Sequence, residues 1–208
     1  MSQASSENRM TQTIALQLES LVFEYLHQMN HQGVHNFLEN WPTKPLQLRH
    51  ISPKKLAVLH YLRDININTN SKASILVQKL QKHADSLYWG QTYGKQDFGS
   101  IFMNNYGWTE LIGTRGPIVS NEIACGFLLL GSNTHYPGHS HEAEEIYVPF
   151  TQAQWKQGGE YWQLRESELA VYHKSWVSHS MKTSSEPLLA LYVWRGGDLA
   201  QKSFINPL

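Results

Sequence analysis

The chain has 208 residues, 41% of them hydrophobic, which is enough to build a real core and too many for a disordered polymer. Lys plus Arg equals Asp plus Glu at 17 each, so the formal net charge is zero, which argues against nucleic acid or an anionic membrane as the main partner. The 11 His, 7 Trp and 10 Tyr raise a different question, whether the chain holds a metal. Cys125 is the sole cysteine, which excludes an internal disulfide and a thiolate zinc cluster. Its setting in the apolar run Ala124–Leu130 predicts a buried thiol. Met1 to Asn8 is polar, without the basic-then-apolar pattern of a secretory signal, and no window approaches a membrane-spanning length. A soluble cytoplasmic protein is expected.

The first half reads as helical. Ile14, Leu18, Leu21, Val22, Tyr25, Leu26 and Met29 recur at spacings of three and four, an amphipathic stripe that Asn30 and Gly33 would stop. Ser52-Pro53 resembles a helix start, with Leu56, Leu59, Tyr61 and Leu62 to follow. Ser71 would cap a further helix that turns Ile75, Leu76, Leu80, Ala84 and Leu87 inward. Breaks are expected at Trp41–Pro45 and Asn66–Asn70. His27, His31 and His35 repeat every four residues, but no carboxylate completes a metal set, so they read as a solvated face. From about Tyr93 onward glycines punctuate short apolar runs, the pattern of a β-sandwich or barrel. Candidate strands are Ala124–Leu130, Glu144–Phe150, Glu160–Leu164, Leu169–Tyr172 and Leu188–Trp194, joined by turns at Gly131-Ser132-Asn133, Gln157-Gly158-Gly159 and Ser184–Pro187. The expected organisation is a helical N-terminal part, residues 1–92, attached to a β-barrel, residues 93–208.

One segment concentrates chemistry: Tyr136-Pro137-Gly138-His139-Ser140-His141-Glu142-Ala143-Glu144-Glu145-Ile146-Tyr147. On an extended strand His139, His141, Glu145 and Tyr147 share one parity and hence one face. Burying four such groups is expensive unless something satisfies them. A divalent transition metal does, and two imidazoles with a carboxylate suit zinc, iron, manganese or nickel without choosing among them. A fourth ligand must come from elsewhere, and His179 is the best candidate.

The spacing His-x-His-x-x-x-Glu followed by a distant His is the cupin signature, which implies a mainly β fold, a cupin β-barrel (double-stranded β-helix), here with an α-helical N-terminal extension. More narrowly, Tyr-Pro-x-His-x-His, Ala-Glu-Glu-Ile-Tyr, His179-Ser180-Met181 and Leu191–Leu199 resemble the cupin-type dimethylsulfoniopropionate (DMSP) lyases, across roughly residues 115–199. That resemblance implies a metal-dependent carbon–sulfur lyase that cleaves DMSP to dimethyl sulfide and acrylate. Carried over by position, it implies His141, Glu145 and His179 as ligands, with His139 and Tyr147 at or beside the metal. It implies Tyr136 and Tyr147 in substrate binding and proton abstraction. Two departures stand out. Gln152 replaces the glycine that closes the first cupin motif, while Trp176 and Thr183 replace the Gly and Asn around the second motif's His.

Read physically, β-elimination needs a base for the proton next to the carboxylate, relief for the gathering negative charge, and a cage for the sulfonium. A metal relieves the charge, and it lowers a nearby tyrosine's pKa enough to make Tyr136 or Tyr147 a credible base. Aromatic faces suit a sulfonium through cation–π attraction, with Tyr192 and Trp194 as walls, and Trp108 and Trp162 more often core. His135 has strand parity opposite to Tyr136 and reads as surface, whereas His173 could donate to the second motif. The ligand set alone equally fits another cupin enzyme, a dioxygenase or isomerase, or a cupin that only binds a small molecule. The partner expected is a small-molecule substrate, and a homo-oligomer is compatible with the sequence.

Overall fold

The computed structural model describes residues 3–67 and 71–206, so the expected break at Asn66–Asn70 and the polar N-terminus each lie partly outside the described residues. Helix α1 spans Gln3–Gln28 and buries Ile14, Leu18, Val22, Tyr25 and Leu26, as the stripe predicts, with Leu21 and Met29 at its half-covered margin. Gly33 does not end the helical region. The chain breaks at Met29–His31 and restarts as α2, Gln32–Leu38, whose N-terminus is capped by His31 Nδ1 accepting from Val34 N–H. His31 is therefore a cap, and His27 is exposed.

Ser52-Pro53 starts no helix. Lys54 N–H donates to Leu87 O and Lys54 O accepts from Trp89 N–H, so this segment is held extended by a β-bridge. Helix α3, Leu59–Asp64, begins later. Helix α4, Lys72–His83, has the expected cap, Ser71 Oγ accepting from Ser74 N–H at 3.1 Å. Leu76, Leu80, Ala84 and Leu87 face inward, but Ile75 is exposed and Val77 takes the buried position. A helix that the sequence reading missed, α5 (Lys95–Asn104), falls within the stretch expected to be β. Its capping group is the Asp97 carboxylate accepting from Gly94 N–H, and a glycine at the N-cap carries no side-chain signal of its own.

The strands are β1 Tyr106–Gly113, β2 Ile118–Val119, β3 Ile123–Leu130, β4 His135–Ser140, β5 Glu144–Pro149, β6 Ala153–Gln157, β7 Gln163–Arg165, β8 Val171–His173, β9 His179–Lys182, β10 Leu188–Arg195 and β11 Phe204–Ile205. They form a six-stranded sheet, β2-β1-β3-β10-β5-β8, and a five-stranded sheet, β11-β4-β9-β6-β7. Alternation along the strands divides the six-stranded sheet into two buried faces. Ile123, Cys125, Phe127, Leu129, Ile146, Val148, Leu189, Leu191 and Val193 pack against the helices. Leu128, Leu130, Tyr147, Leu188, Ala190 and Tyr192 point the other way, into a second core shared with Tyr136, Ala153, Trp155 and Met181 of the five-stranded sheet. Burial on both faces is why β3 and β10 read as continuous apolar runs. Cys125 lies fully buried on the helix side, as expected. Among the described residues no helix is long and apolar enough to cross a membrane.

Trp176, at the usual glycine position of the second cupin motif, adopts φ 61°, a left-handed conformation. Its N–H donates to His141 O at 2.8 Å, so the turn ties the second motif to the first. A left-handed non-glycine residue costs about 1–2 kcal/mol. Trp176→Gly and Trp176→Ala lose the same ring contact with Phe204 (5.6 Å). The glycine variant is therefore expected to be more stable than the alanine variant by about 1 kcal/mol in urea denaturation, net of glycine's larger unfolded-state entropy. Equal stabilities would mean the turn stores no strain.

Candidate metal centre and active site

His141, Glu145 and His179 converge, with their ligand atoms all within 4.8 Å of one another and all three side chains buried. Glu145 sits on β5 and His179 on β9, in opposite sheets, while His141 lies just past the end of β4. The first motif is thus not one straight strand. A register shift between Tyr136 and His139 breaks simple parity and lets both side chains line the same cavity despite their odd spacing.

Backbone carbonyls orient the imidazoles. His139 Nδ1 meets Pro137 O at 2.9 Å, His141 Nδ1 meets Ala143 O at 2.9 Å, and His179 Nδ1 meets Val177 O at 3.0 Å. A carbonyl only accepts, so each ring holds a proton on Nδ1, which leaves Nε2 as the atom free to meet a metal or an acceptor. Nε2 of His141 and His179 approach the same Glu145 Oε2 at 3.0 and 3.2 Å, and the second of these lacks hydrogen-bond geometry. Two imidazole nitrogens and a carboxylate oxygen converge in this way only with positive charge among them, either ring protons or a bound cation. The donor set, its burial and the fixed tautomers fit a divalent transition metal. His139 stands beside this group, its ring 4.1 Å from that of His179.

Glu145 is fully buried, which pushes its carboxyl up, yet contacts with His141 and His179 outweigh burial and hold it well below the usual range. Its Oε1 accepts from Trp194 Nε1 at 2.5 Å, and the Trp194 ring lies on the His141 ring at 4.0 Å. Trp194 is therefore bound to the candidate ligands as well as lining the cavity. Partners at this distance from a metal typically contribute 10–100-fold to its affinity. Trp194→Phe, which keeps an aromatic ring and removes the N–H, is expected to weaken metal affinity about tenfold in a competitive chelator titration. Unchanged affinity would reduce Trp194 to a wall.

A cavity of about 50 Å³ opens beside this group. A single water needs about 10–15 Å³, so the space suits a small solute. Of the residues the sequence reading named, Tyr136, His139, Glu145, Tyr147, Tyr192 and Trp194 line it. The structure adds Glu110 and Arg115, which that reading did not place there, and sets Trp108 in the wall, where that reading favoured the core. Tyr136 stacks on His139 at 4.1 Å and shares its hydroxyl with that of Tyr93 at 3.3 Å. Burial, first of all, raises the Tyr136, Tyr147 and Tyr192 hydroxyls well above the usual phenol range, and the Glu145 charge adds to this at Tyr147. Trp162 lies outside, under Lys182 and against the exposed His135, and is no wall of the site. His173 is buried and held neutral by burial, and it stacks on His179 at 4.1 Å with neither ring nitrogen hydrogen-bonded. Its contact with the second motif is through its ring face and not by hydrogen-bond donation.

Fold and site together define a cupin: two facing sheets with a buried His/Glu cluster between them. The profile of the dimethylsulfoniopropionate lyase family matches residues 29–190, and the chain belongs to that family. It is 32% identical over 109 residues to dimethylsulfoniopropionate lyase DddQ of Ruegeria pomeroyi, a match covering 52% of this chain and 54% of that one. The chain thus spans about half the length of that curated relative. Among solved structures it resembles one from a study titled for the DMSP lyases RdDddP and RnDddQII, with TM-score 0.84, 21% identity and coverage of 96% and 100% of the two chains. It also resembles the DddQ structure from Ruegeria pomeroyi, with TM-score 0.75, 24% identity and coverage of 91% and 95%. These two likenesses establish the fold.

Proposed function

We propose that the protein is a metal-dependent carbon–sulfur lyase that cleaves DMSP to dimethyl sulfide and acrylate. Residues 1–92 would be a helical extension to a metal-binding β domain, 93–208. The observation that carries this reading is the convergence of two imidazoles and a carboxylate on one point beside a small aromatic cavity. Family membership supplies the substrate. His141, Glu145 and His179 would hold the metal, with His139 beside them.

When bound, a divalent cation supplies positive charge that stabilises a carboxylate gathering electron density and draws a neighbouring phenol toward its ionised form. The chain's own residues do the rest. A tyrosine oxygen takes the proton from the carbon next to the carboxylate. That C–H electron pair forms the new double bond, the carbon–sulfur pair leaves with sulfur, and neutral dimethyl sulfide and acrylate result. Tyr147 is the favoured base, because it follows Glu145 by two residues on β5 and lines the cavity beside it, where a bound cation would offset the burial and the Glu145 charge that raise its hydroxyl. The Tyr136 hydroxyl is engaged with Tyr93 and suits substrate orientation. Tyr192 and Trp194 offer aromatic surface to the sulfonium. Headspace measurement of dimethyl sulfide from purified protein and DMSP tests this directly. Release above the uncatalysed rate is expected, and none from metal-loaded protein would overturn the reading.

A further inference from the structure

Three strands along the six-stranded sheet from Glu145, the cavity wall carries a second buried carboxyl to which the elimination chemistry assigns no part. Glu110, on β1, is 6% exposed and lines the same cavity. The sheet register places it in one row with the active-site tyrosines: Glu110 pairs with Gly126, Gly126 with Tyr192, and Tyr192 with Tyr147. Gly126 contributes no side chain to this row, and a Cβ there would meet Thr109 O at 2.0 Å. The floor between Glu110 and Tyr192 is therefore bare. Strands lie about 4.8 Å apart, so the backbone at Glu110 stands about 14 Å from that at Tyr147.

Glu110 Oε1 accepts from the backbone N–H groups of Arg115 (2.5 Å) and Gly116 (2.8 Å), which anchors the loop after β1. That anchoring needs an acceptor but not a charge. The nearest cation to Oε2 is Arg115 Nη1 at 3.9 Å, beyond hydrogen-bond range, and the guanidinium donates instead to Leu199 O and Ala200 O. Burial is the largest influence on this carboxyl and raises it, against the opposing pull of the Arg115 and Gly116 N–H groups and the Arg115 and Arg49 charges, so a cation arriving beside it would favour its ionised form. Trp108, Tyr192 and Trp194 line the same cavity, as does Arg115, whose guanidinium lies over the Trp108 ring at 5.7 Å. An anion among aromatic faces is what a cation without N–H groups requires, since a sulfonium can be recognised only by charge and polarisable surface.

We infer that Glu110 is the specificity-determining residue for the cationic end of the substrate, receiving the sulfonium while the carboxylate lies toward His141, Glu145 and His179. This rests on the substrate reading above. The positive charge disappears as neutral dimethyl sulfide leaves, so Glu110 stabilises the bound substrate more than the transition state. Its loss should appear in KM and not in kcat.

Glu110→Gln keeps the volume and the acceptor for Arg115 and Gly116 and removes only the charge. KM for DMSP is expected to rise at least about tenfold, with kcat not reduced. Binding of 4-methylpentanoate, which carries carbon in place of the sulfonium sulfur, is expected to stay within about twofold by calorimetry. Parallel weakening of both ligands, or no change in either, would overturn the assignment. If the variant does not fold, the unaltered protein still decides. It should bind 3-(trimethylammonio)propanoate at least about tenfold more tightly than 4-methylpentanoate, and equal affinities would overturn the inference. These binding measurements need no turnover. Failure to release dimethyl sulfide would therefore count against the lyase reading without deciding the role of Glu110.

Discussion

Glu145→Gln and His141→Ala are each expected to strip the metal and, with it, turnover. Glu145 is fully buried and receives Trp194 Nε1 on one oxygen, with the Nε2 atoms of His141 and His179 at 3.0 and 3.2 Å from the other. Glutamine has the same shape and keeps an oxygen for Trp194, but it removes the anion that balances a dication and turns an amide N–H₂ toward one partner. Residues that only orient ligands contribute about 10–100-fold to affinity, so loss of a ligand should exceed about 10²-fold. Elemental analysis after gel filtration should find the metal lost from both variants, with far-ultraviolet circular dichroism unchanged. Full occupancy in either variant would remove the site as drawn.

The His141, Glu145 and His179 cluster was legible in the sequence because the motif is short and the side chains it gathers are chemically distinctive. Even there, strand parity was right for a wrong local reason. His141 lies beyond the end of β4, and the register shift after Tyr136, which no residue pattern announces, lets Tyr136 and His139 face the same cavity. Glu110 escaped notice, and Trp108 was weighted toward the core, because β1 was not recognised as a strand. Its alternation is blurred by burial on both faces, where Thr109 and Glu110 are as buried as Leu111. Helix starts were legible where a side chain caps, as at Ser71, and illegible where backbone pairing claims the same residues, as at Lys54. His173 looked like a hydrogen-bond donor from its place in the chain. Only the pairing of β5 with β8, which sets it opposite Glu145, brings its ring flat onto His179.

Tyr147→Phe is expected to lower kcat by at least about 10²-fold, the low end for loss of a general base, while retaining metal and fold. The ring is buried against Trp155 at 5.1 Å and His173 at 5.9 Å, and phenylalanine preserves both contacts. Only the hydroxyl is lost, and that hydroxyl is the one on which the Glu145 charge acts. Tyr136→Phe loses a hydroxyl bound to Tyr93 and keeps the stack on His139, so it should act mainly on KM and lower kcat by no more than about tenfold. Burial holds both hydroxyls above the ordinary phenol range, so neither can serve as a base without positive charge nearby. Metal content must therefore be measured for each variant beside its kinetics. A fall in kcat that tracks metal loss would assign Tyr147 to binding the cation and not to moving the proton. If both variants keep metal and near-full turnover, neither tyrosine is the base, and the proton leaves the substrate to another acceptor in the cavity.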